Sequence, residues 1–274
     1  MTVDGCGAGL TRYLITMKNL RVEVVRFKLV IALDGAAFHG WQSGRSGRGA
    51  ADHLEAALAR CFPGASGVVS SSRTDSGVHA VGLVAHVDLP RAVAPDRVRA
   101  ALNAVLPATL RVMAASRVSS AFHARFDAVS KEYRYQIRNH PVMDPLLVGR
   151  AWHVPQALDL PAMRAAAACL VGVHDFRSFT VRRDGSPGET TRKILRCGIR
   201  GRRGLLTLVV EADGFLYRMC RRIAGTLVDV GRGRMTVDDV VAALDRPGIA
   251  AAGVTAPAHG LCLHRVRYQR SARD

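Results

Sequence analysis

Val68-Val69-Ser70-Ser71-Ser72-Arg73-Thr74-Asp75-Ser76-Gly77-Val78-His79-Ala80-Val81-Gly82-Leu83-Val84-Ala85-His86-Val87-Asp88 is an apolar run, a polar loop and a second apolar run. The β-branched residues on either side predict two paired strands, Val68–Ser72 and Val81–Asp88, joined by a short connection that carries Asp75. Taken residue by residue, that connection is good turn chemistry. An Asp can bond its own backbone two residues on, and Gly77 supplies a positive φ. It also places an acid and two bases, Arg73 and His79, on a loop presented by a rigid scaffold, where function often sits.

Working outward, Phe27–Leu33 reads as a buried strand closed by the Asp34-Gly35 turn. Ala51–Cys61 puts Leu54, Ala57, Leu58 and Cys61 on one helical face and stops at Pro63-Gly64. Pro95 opens a helix that ends at Leu106 before Pro107, and Leu110–Val118 alternates as a strand. The order is β-α-β-β-α-β, the split unit of ferredoxin-like folds. The second half repeats it without repeating the sequence. Asp127–Asn139 alternates as a long strand, and Leu160–Leu170 is helical. Lys193–Gly201 and Leu205–Glu211 form a hairpin across Arg202-Arg203-Gly204. Phe215–Val230 carries Phe215, Met219, Ile223 and Val230 on one helical stripe. Val237–Leu244 is a short helix, and Leu261–Tyr268 a closing strand. The expected class is α+β: two ferredoxin-like split β-α-β units sharing a central antiparallel sheet, with a cleft near their junction. The units divide at Phe122, into an N-terminal subdomain 26–122 that holds the Asp75 loop and a C-terminal subdomain 123–270. Residues 1–25 show no clean period and are set aside as an N-terminal extension, either disordered or upstream of a true start at Met17.

Lys plus Arg number 39 against 22 Asp plus Glu, a formal charge of +17, which points to a polyanionic partner such as nucleic acid. Only Lys18, Lys28, Lys131 and Lys193 are lysines, so part of the arginine excess is a composition bias. The Gly- and Arg-rich Ser43–Gly49 reads as a solvated loop. Six cysteines, at 6, 61, 169, 197, 220 and 262, form no Cys-x-x-Cys pair and are expected to be reduced and mostly buried. No apolar run approaches the ~18 residues that cross a bilayer, and a cytoplasmic protein is expected. Phosphate-loop, zinc-protease and nucleophile-elbow motifs are absent from the sequence. His39, His79, His123, His174 and His264 lie far apart without ligand spacing, so no metal site is expected.

Ser72-Arg73-Thr74-Asp75-Ser76-Gly77-Val78-His79 resembles the Gly-Arg-Thr-Asp-Ala-Gly-Val-His signature of the TruA family of tRNA pseudouridine synthases, with serines where that family has Gly and Ala. The likeness extends over residues 27–268. Leu33-Asp34-Gly35 with Gly40-Trp41-Gln42 resembles the family's opening element, and Phe122-His123-Ala124-Arg125-Phe126 with Lys131-Glu132-Tyr133-Arg134-Tyr135 a long central one. His174–Phe179, Phe215–Gly231 and Gly260-Leu261-Cys262-Leu263 are similar to three more. Gly49–His53 departs from it, lacking the usual Val-Gln before Leu-Glu.

The resemblance implies the pseudouridine synthase fold and an isomerase that converts uridine to pseudouridine in the anticodon stem-loop of tRNA, positions 38–40, acting as a homodimer. Such a reaction breaks the N1–C1′ bond, turns the uracil and rejoins it through C5, which calls for a carboxylate beside an oxocarbenium-like sugar. The resemblance makes Asp75 that carboxylate, Arg221 its cationic partner and Tyr133 the ring that packs on the uracil. Arg73, His79, Arg125, Arg218 and Leu261 are the implied RNA-binding set, while Arg218 and Arg222 also read as a solvated basic face. An isomerisation needs no metal, nucleotide or redox cofactor. Two rivals stand beside this reading: a synthase of the same fold aimed at other RNA positions, and a noncatalytic RNA-binding module.

Overall fold

The computed structural model describes residues 24–42, 47–181 and 188–269. Residues 1–23 and most of the Ser43–Gly49 loop lie outside them. In chain order the described elements are β1 (Val25–Leu33), α1 (Ala50–Cys61), β2 (Ser66–Ser70), β3 (His79–Leu89), α2 (Pro95–Val105), β4 (Leu110–Arg117) and β5 (Ala128–Arg138). There follow β6 (Trp152–His153), α3 (Leu160–Cys169), β7 (Gly172–Asp175), β8 (Thr191–Arg202), β9 (Leu205–Ala212), α4 (Met219–Gly231), α5 (Val237–Asp245) and β10 (Leu261–Tyr268). The strands share one sheet in the order β4-β1-β3-β10-β5-β9-β8-β7, with β2 on β3 and β6 on β5.

Alternation explains which face of this sheet is covered. Phe27, Leu29, Ile31 and Leu33 of β1 are buried, as are Leu83, Ala85, Val87 and Leu89 of β3. Leu54 and Leu58 of α1 and Val98 and Leu102 of α2 belong to the same core. In the second half Tyr133, Tyr135 and Ile137 of β5 and Leu206, Leu208 and Val210 of β9 do the same with Met163 of α3, Leu227 of α4 and Val240 of α5. Each such side chain contributes about 1.5–3 kcal/mol through burial, and Leu102→Ala, at a site with no exposure, removes about 2–5 kcal/mol.

Pairing is antiparallel except at two places. Leu263 and Cys262 of β10 run parallel to Ala80 and His79 of β3, and β6 runs parallel to β5. The β3–β10 contact is the seam between the two halves, and it joins the end of the Asp75 loop to the chain's closing strand. The sheet is therefore mostly antiparallel with a parallel seam. The connection through Phe122 is pinned at the other end of β3: the Arg26 guanidinium donates to the carbonyls of Ser120 (2.6 Å) and Phe122 (3.0 Å) and to Asp88 (2.7 Å).

One helix boundary differs from the sequence reading. Phe215 fits the apolar stripe of α4, yet the helix starts at Met219, because Arg218 sits in the left-handed region (φ 59°) as its N-cap. Phe215 stays outside it, and a turn closed by Met219 N–H on the Leu216 carbonyl (3.1 Å) leads into the helix. Cysteine burial is also narrower than expected. Of the five described cysteines, all unpaired, Cys220 alone is fully buried.

Candidate active site

The loop from Ser71 to Val78 is held from three sides. Ser71 N–H donates to the Val84 carbonyl (2.8 Å), while Val84 N–H donates to Ser71 Oγ (3.2 Å). Val78 N–H closes a turn on the Asp75 carbonyl (3.1 Å), with Gly77 at φ 81° as the turn requires. Beneath it, the backbone N–H of the buried Trp41 donates to the Thr74 carbonyl (3.0 Å). Gly40 is needed for this approach: its φ is 88°, and a Cβ there would lie 2.7 Å from the Thr74 oxygen. The same segment starts α1, since Ala50 and Ala51 donate to the carbonyls of Gly40 and Trp41. Asp52, in the stretch that departs from the family pattern, accepts from Gly49 N–H (2.8 Å) and so caps that helix.

Arg221 comes from the other half. It lies in the first turn of α4, and its Nη1 is 3.1 Å from Asp75 Oδ2 with both side chains largely buried. Its Nε donates to the Ala256 carbonyl (2.8 Å), and Ala256 N–H donates back to the Arg221 carbonyl (3.1 Å). The segment 253–256 is laced along α4 by buried polar groups that would otherwise be costly. Thr226 Oγ1 accepts from Gly253 N–H (2.9 Å) and Asp229 Oδ2 from Val254 N–H (3.2 Å). Gly225 permits the contact, because any Cβ there would collide with the Val254 carbonyl. Arg221 is thus aimed by backbone on both sides.

Around this pair lies a cavity of about 430 Å³, a volume typical of sites for small ligands, lined by Arg73, Asp75, Tyr133, Arg218, Arg221 and Leu261 among others. A second space of about 980 Å³ adjoins it through Arg73, Asp75, Tyr217 and Arg218. Tyr133 is 7% exposed and meets Phe215 edge-on at 5.0 Å. Burial, with smaller effects from Cys220 and Asp75, pushes its phenol well above the ordinary tyrosine value, against a hydrogen bond with Ser72. The ring therefore enters as a neutral phenol. Cys220 lines the cavity too, but burial drives its thiol far above its ordinary value, so it is a packing group rather than a nucleophile.

Asp75, Tyr133, Arg221, Arg73, Arg125, Arg218 and Leu261 thus share one cavity wall. His79 does not. It is buried beneath the loop, where Nδ1 accepts from Gly35 N–H (3.1 Å) and Nε2 lies 3.0 Å from the Gly149 carbonyl. Asp34 stands 3.1 Å from the same Nδ1 and 2.8 Å from Arg150, so His79 ties the loop's end to two other turns. Arg125 reaches the rim because Ala124 is clamped, its N–H on His86 Nδ1 (3.0 Å) and its carbonyl on the Tyr268 hydroxyl (2.7 Å). Arg222, read as solvated, is drawn inward: its Nη2 donates to the Ala252 carbonyl (3.0 Å), and burial lowers its pKa. Lys131, on the same face of β5 as Tyr133, also lines the cavity. The period-2 alternation of the strand could have pointed to it.

Residues 166–269 match the model of a family described as tRNA pseudouridine synthase. A tRNA pseudouridine synthase A of Methylacidiphilum infernorum (isolate V4) is 41% identical over 250 residues, 91% of this chain and 98% of the relative. The chain belongs to the tRNA pseudouridine synthase family. A tRNA pseudouridine synthase A of Syntrophotalea carbinolica is 42% identical over 90% of this chain and 97% of its own length, and one of Bacillus pumilus 39% over 89% and 99%. Family likeness on this scale spans both halves of the sheet, and so includes the Asp75 loop and the α4 helix that meet at the cavity. Among the described residues no group of three His, Cys, Asp or Glu side chains is arranged to hold a metal, and no helix is long and apolar enough to cross a membrane.

Proposed function

We propose that this chain isomerises uridine to pseudouridine in the anticodon stem-loop of tRNA, at positions 38–40. The observation that carries the reading is the Asp75–Arg221 pair at 3.1 Å, a carboxylate from one half and a guanidinium from the other, inside a basic cavity floored by a tyrosine ring. Asp75 meets C1′ of the target nucleotide, either as nucleophile or as the charge that stabilises an oxocarbenium-like sugar. Uracil leaves through N1, turns in its plane against the Tyr133 ring, and re-bonds through C5. The C5 proton is then lost and N1 regains one, so the product is an isomer and no atoms are gained. Arg221, 3.1 Å from that carboxylate, holds it in position beside the sugar. A flipped base explains the need for a ring face at the cavity floor. Arg73, exposed at the cavity's edge, fills the place in the RNA that the flipped nucleotide vacates, and Arg125, Arg218 and Leu261 line the path of the strand.

The same reading divides the chain at Phe122 into subdomains 26–122 and 123–270 and takes the enzyme to be a cytoplasmic homodimer, in which two copies measure the tRNA body. Sedimentation should give twice the 29.5 kDa chain mass. The activity itself is tested with a tRNA transcript carrying 5-tritiated uridine. Tritium release with pseudouridine mapped to positions 38–40 is expected. Release with modification mapped elsewhere favours the same fold aimed at other uridines, and binding without release leaves only an RNA-binding module.

A further inference from the structure

Four cations line the cavity of Asp75 besides Arg221: Arg73, Arg125, Lys131 and Arg218. Among the described residues none of the four has a carboxylate within 4.0 Å, whereas Arg221 is paired. Arg218 Nε is shielded from solvent without a hydrogen-bond partner. Lys131 is the one lysine among them, in a chain that has only four. It projects from β5 on the face of Tyr133, two residues nearer the strand's start, between Ala212 of β9 and Val266 of β10. Nothing in the isomerisation uses it.

We propose that Lys131, with Arg125 and Arg218, clamps a backbone phosphate of the target nucleotide, fixing its ribose over Asp75 while the base is free to turn. This rests on reading the chain as a uridine isomerase acting on RNA. The chemistry suits the group. A reaction that detaches the base needs the sugar held through something other than the base, and a phosphodiester is the charged handle nearest to it. Unpaired cations in a partly enclosed cavity are expensive until an anion arrives. The charged groups around Lys131 are Arg125 from the connection before β5, Arg192 from β8, Arg218 at the start of α4 and Asp213 after β9, with Asp75 in the same cavity. Burial, then Arg125 and Arg192, lower its pKa to about 8 against Asp213. A bound phosphate would restore the ammonium.

The test is steady-state and single-turnover kinetics on a tRNA transcript with wild type, Lys131→Met, Lys131→Gln and Lys131→Arg. Loss of one charge-assisted contact should raise KM roughly ten- to a hundredfold in Lys131→Met and Lys131→Gln, the loss falling on KM rather than on the rate at saturation, with Lys131→Arg restoring KM. Wild-type KM should be flat below pH 8 and climb above it as the ammonium loses its proton, and Lys131→Arg should remove that climb. A transcript with one methylphosphonate, placed 5′ or 3′ of the target uridine in turn, should bind wild type more weakly at one of the two positions, and at that position should weaken binding to Lys131→Met by less, since only Arg125 and Arg218 remain to lose the charge. An unchanged KM in both neutral variants, a loss confined to the saturated rate, or methylphosphonate effects identical in wild type and Lys131→Met would overturn the clamp. Wild-type turnover in the same assay separates these failures from a failure of the isomerase reading.

Discussion

Strand β5 handles charge in opposite ways on its two faces. Toward the helices it carries Lys131 and Tyr133 into a cavity whose cations, Arg221 apart, lack acidic partners among the described residues. On the other face Glu132, beside Glu211 of β9, is buried among arginines. Glu132 takes Arg134 (2.8 Å) and Arg196 (3.1 Å), while Glu211 takes Arg267 and the Ser130 hydroxyl, each at 2.7 Å. Although burial acts to raise it, hydrogen bonding and charge from Arg134, with Arg196 and His264, hold the Glu132 carboxyl below the usual carboxylate range. Charge that is satisfied within the chain serves the fold, and charge left open serves a ligand. The +17 surplus is therefore informative only once the paired arginines are set apart from the open ones.

The largest effect expected is at the carboxylate. Asp75→Asn keeps shape and hydrogen bonding but removes the charge, so turnover should fall more than about a thousandfold while tRNA affinity and melting temperature hold. Residual turnover close to wild type would move the chemistry to another group. On the opposite face, Arg134→Met should cost about 2 kcal/mol in urea unfolding, less than full rupture of a buried pair because Arg196 and Arg267 still face Glu132, and tRNA affinity should not change. An unmoved urea midpoint would remove the structural role of that network. Its pH signature follows from the lowered Glu132 value. The stabilisation is complete above the ordinary carboxylate range and is lost as pH falls through the lower folded value, so Arg134→Met should lose less stability than wild type on acidification, as followed by urea midpoints at a series of pH values. The smallest effect expected is Arg218→Leu, a several-fold loss of tRNA affinity that lowers the salt slope of binding by about 1 without altering the fold. An unchanged slope would mean that Arg218 meets no phosphate.

Much of this was legible in the sequence because period and punctuation agreed. The alternation of β1, β3 and β5, Pro95 and Pro107 around α2, and Gly77 in the Asp75 loop each fixed an element locally. What escaped depends on distant partners. β6 and β7 are two and four residues long and exist through pairing alone. Phe215 fitted the helical stripe, but the left-handed Arg218 starts α4 one turn later, a backbone choice that no periodicity records. His79 sits inside a motif full of functional residues, yet its ring is taken up by Gly35, Gly149 and Asp34. Pairing of Glu132 with Arg196 and of Glu211 with Ser130 spans 64 and 81 residues, beyond the reach of local pattern.

The claim on which the rest depends is that Arg221 fixes the Asp75 carboxylate in place across the seam between the two halves. Single-turnover rates with saturating tRNA for wild type, Arg221→Lys and Arg221→Leu test it. Without the guanidinium the carboxylate loses its one ion pair among the described residues, so Arg221→Leu should be slower by about a hundredfold or more while tRNA affinity holds. Arg221→Lys keeps the charge but loses the planar fork, and should fall between the two. A rate for Arg221→Leu near wild type would contradict the pairing and return Arg221 to the ordinary basic surface.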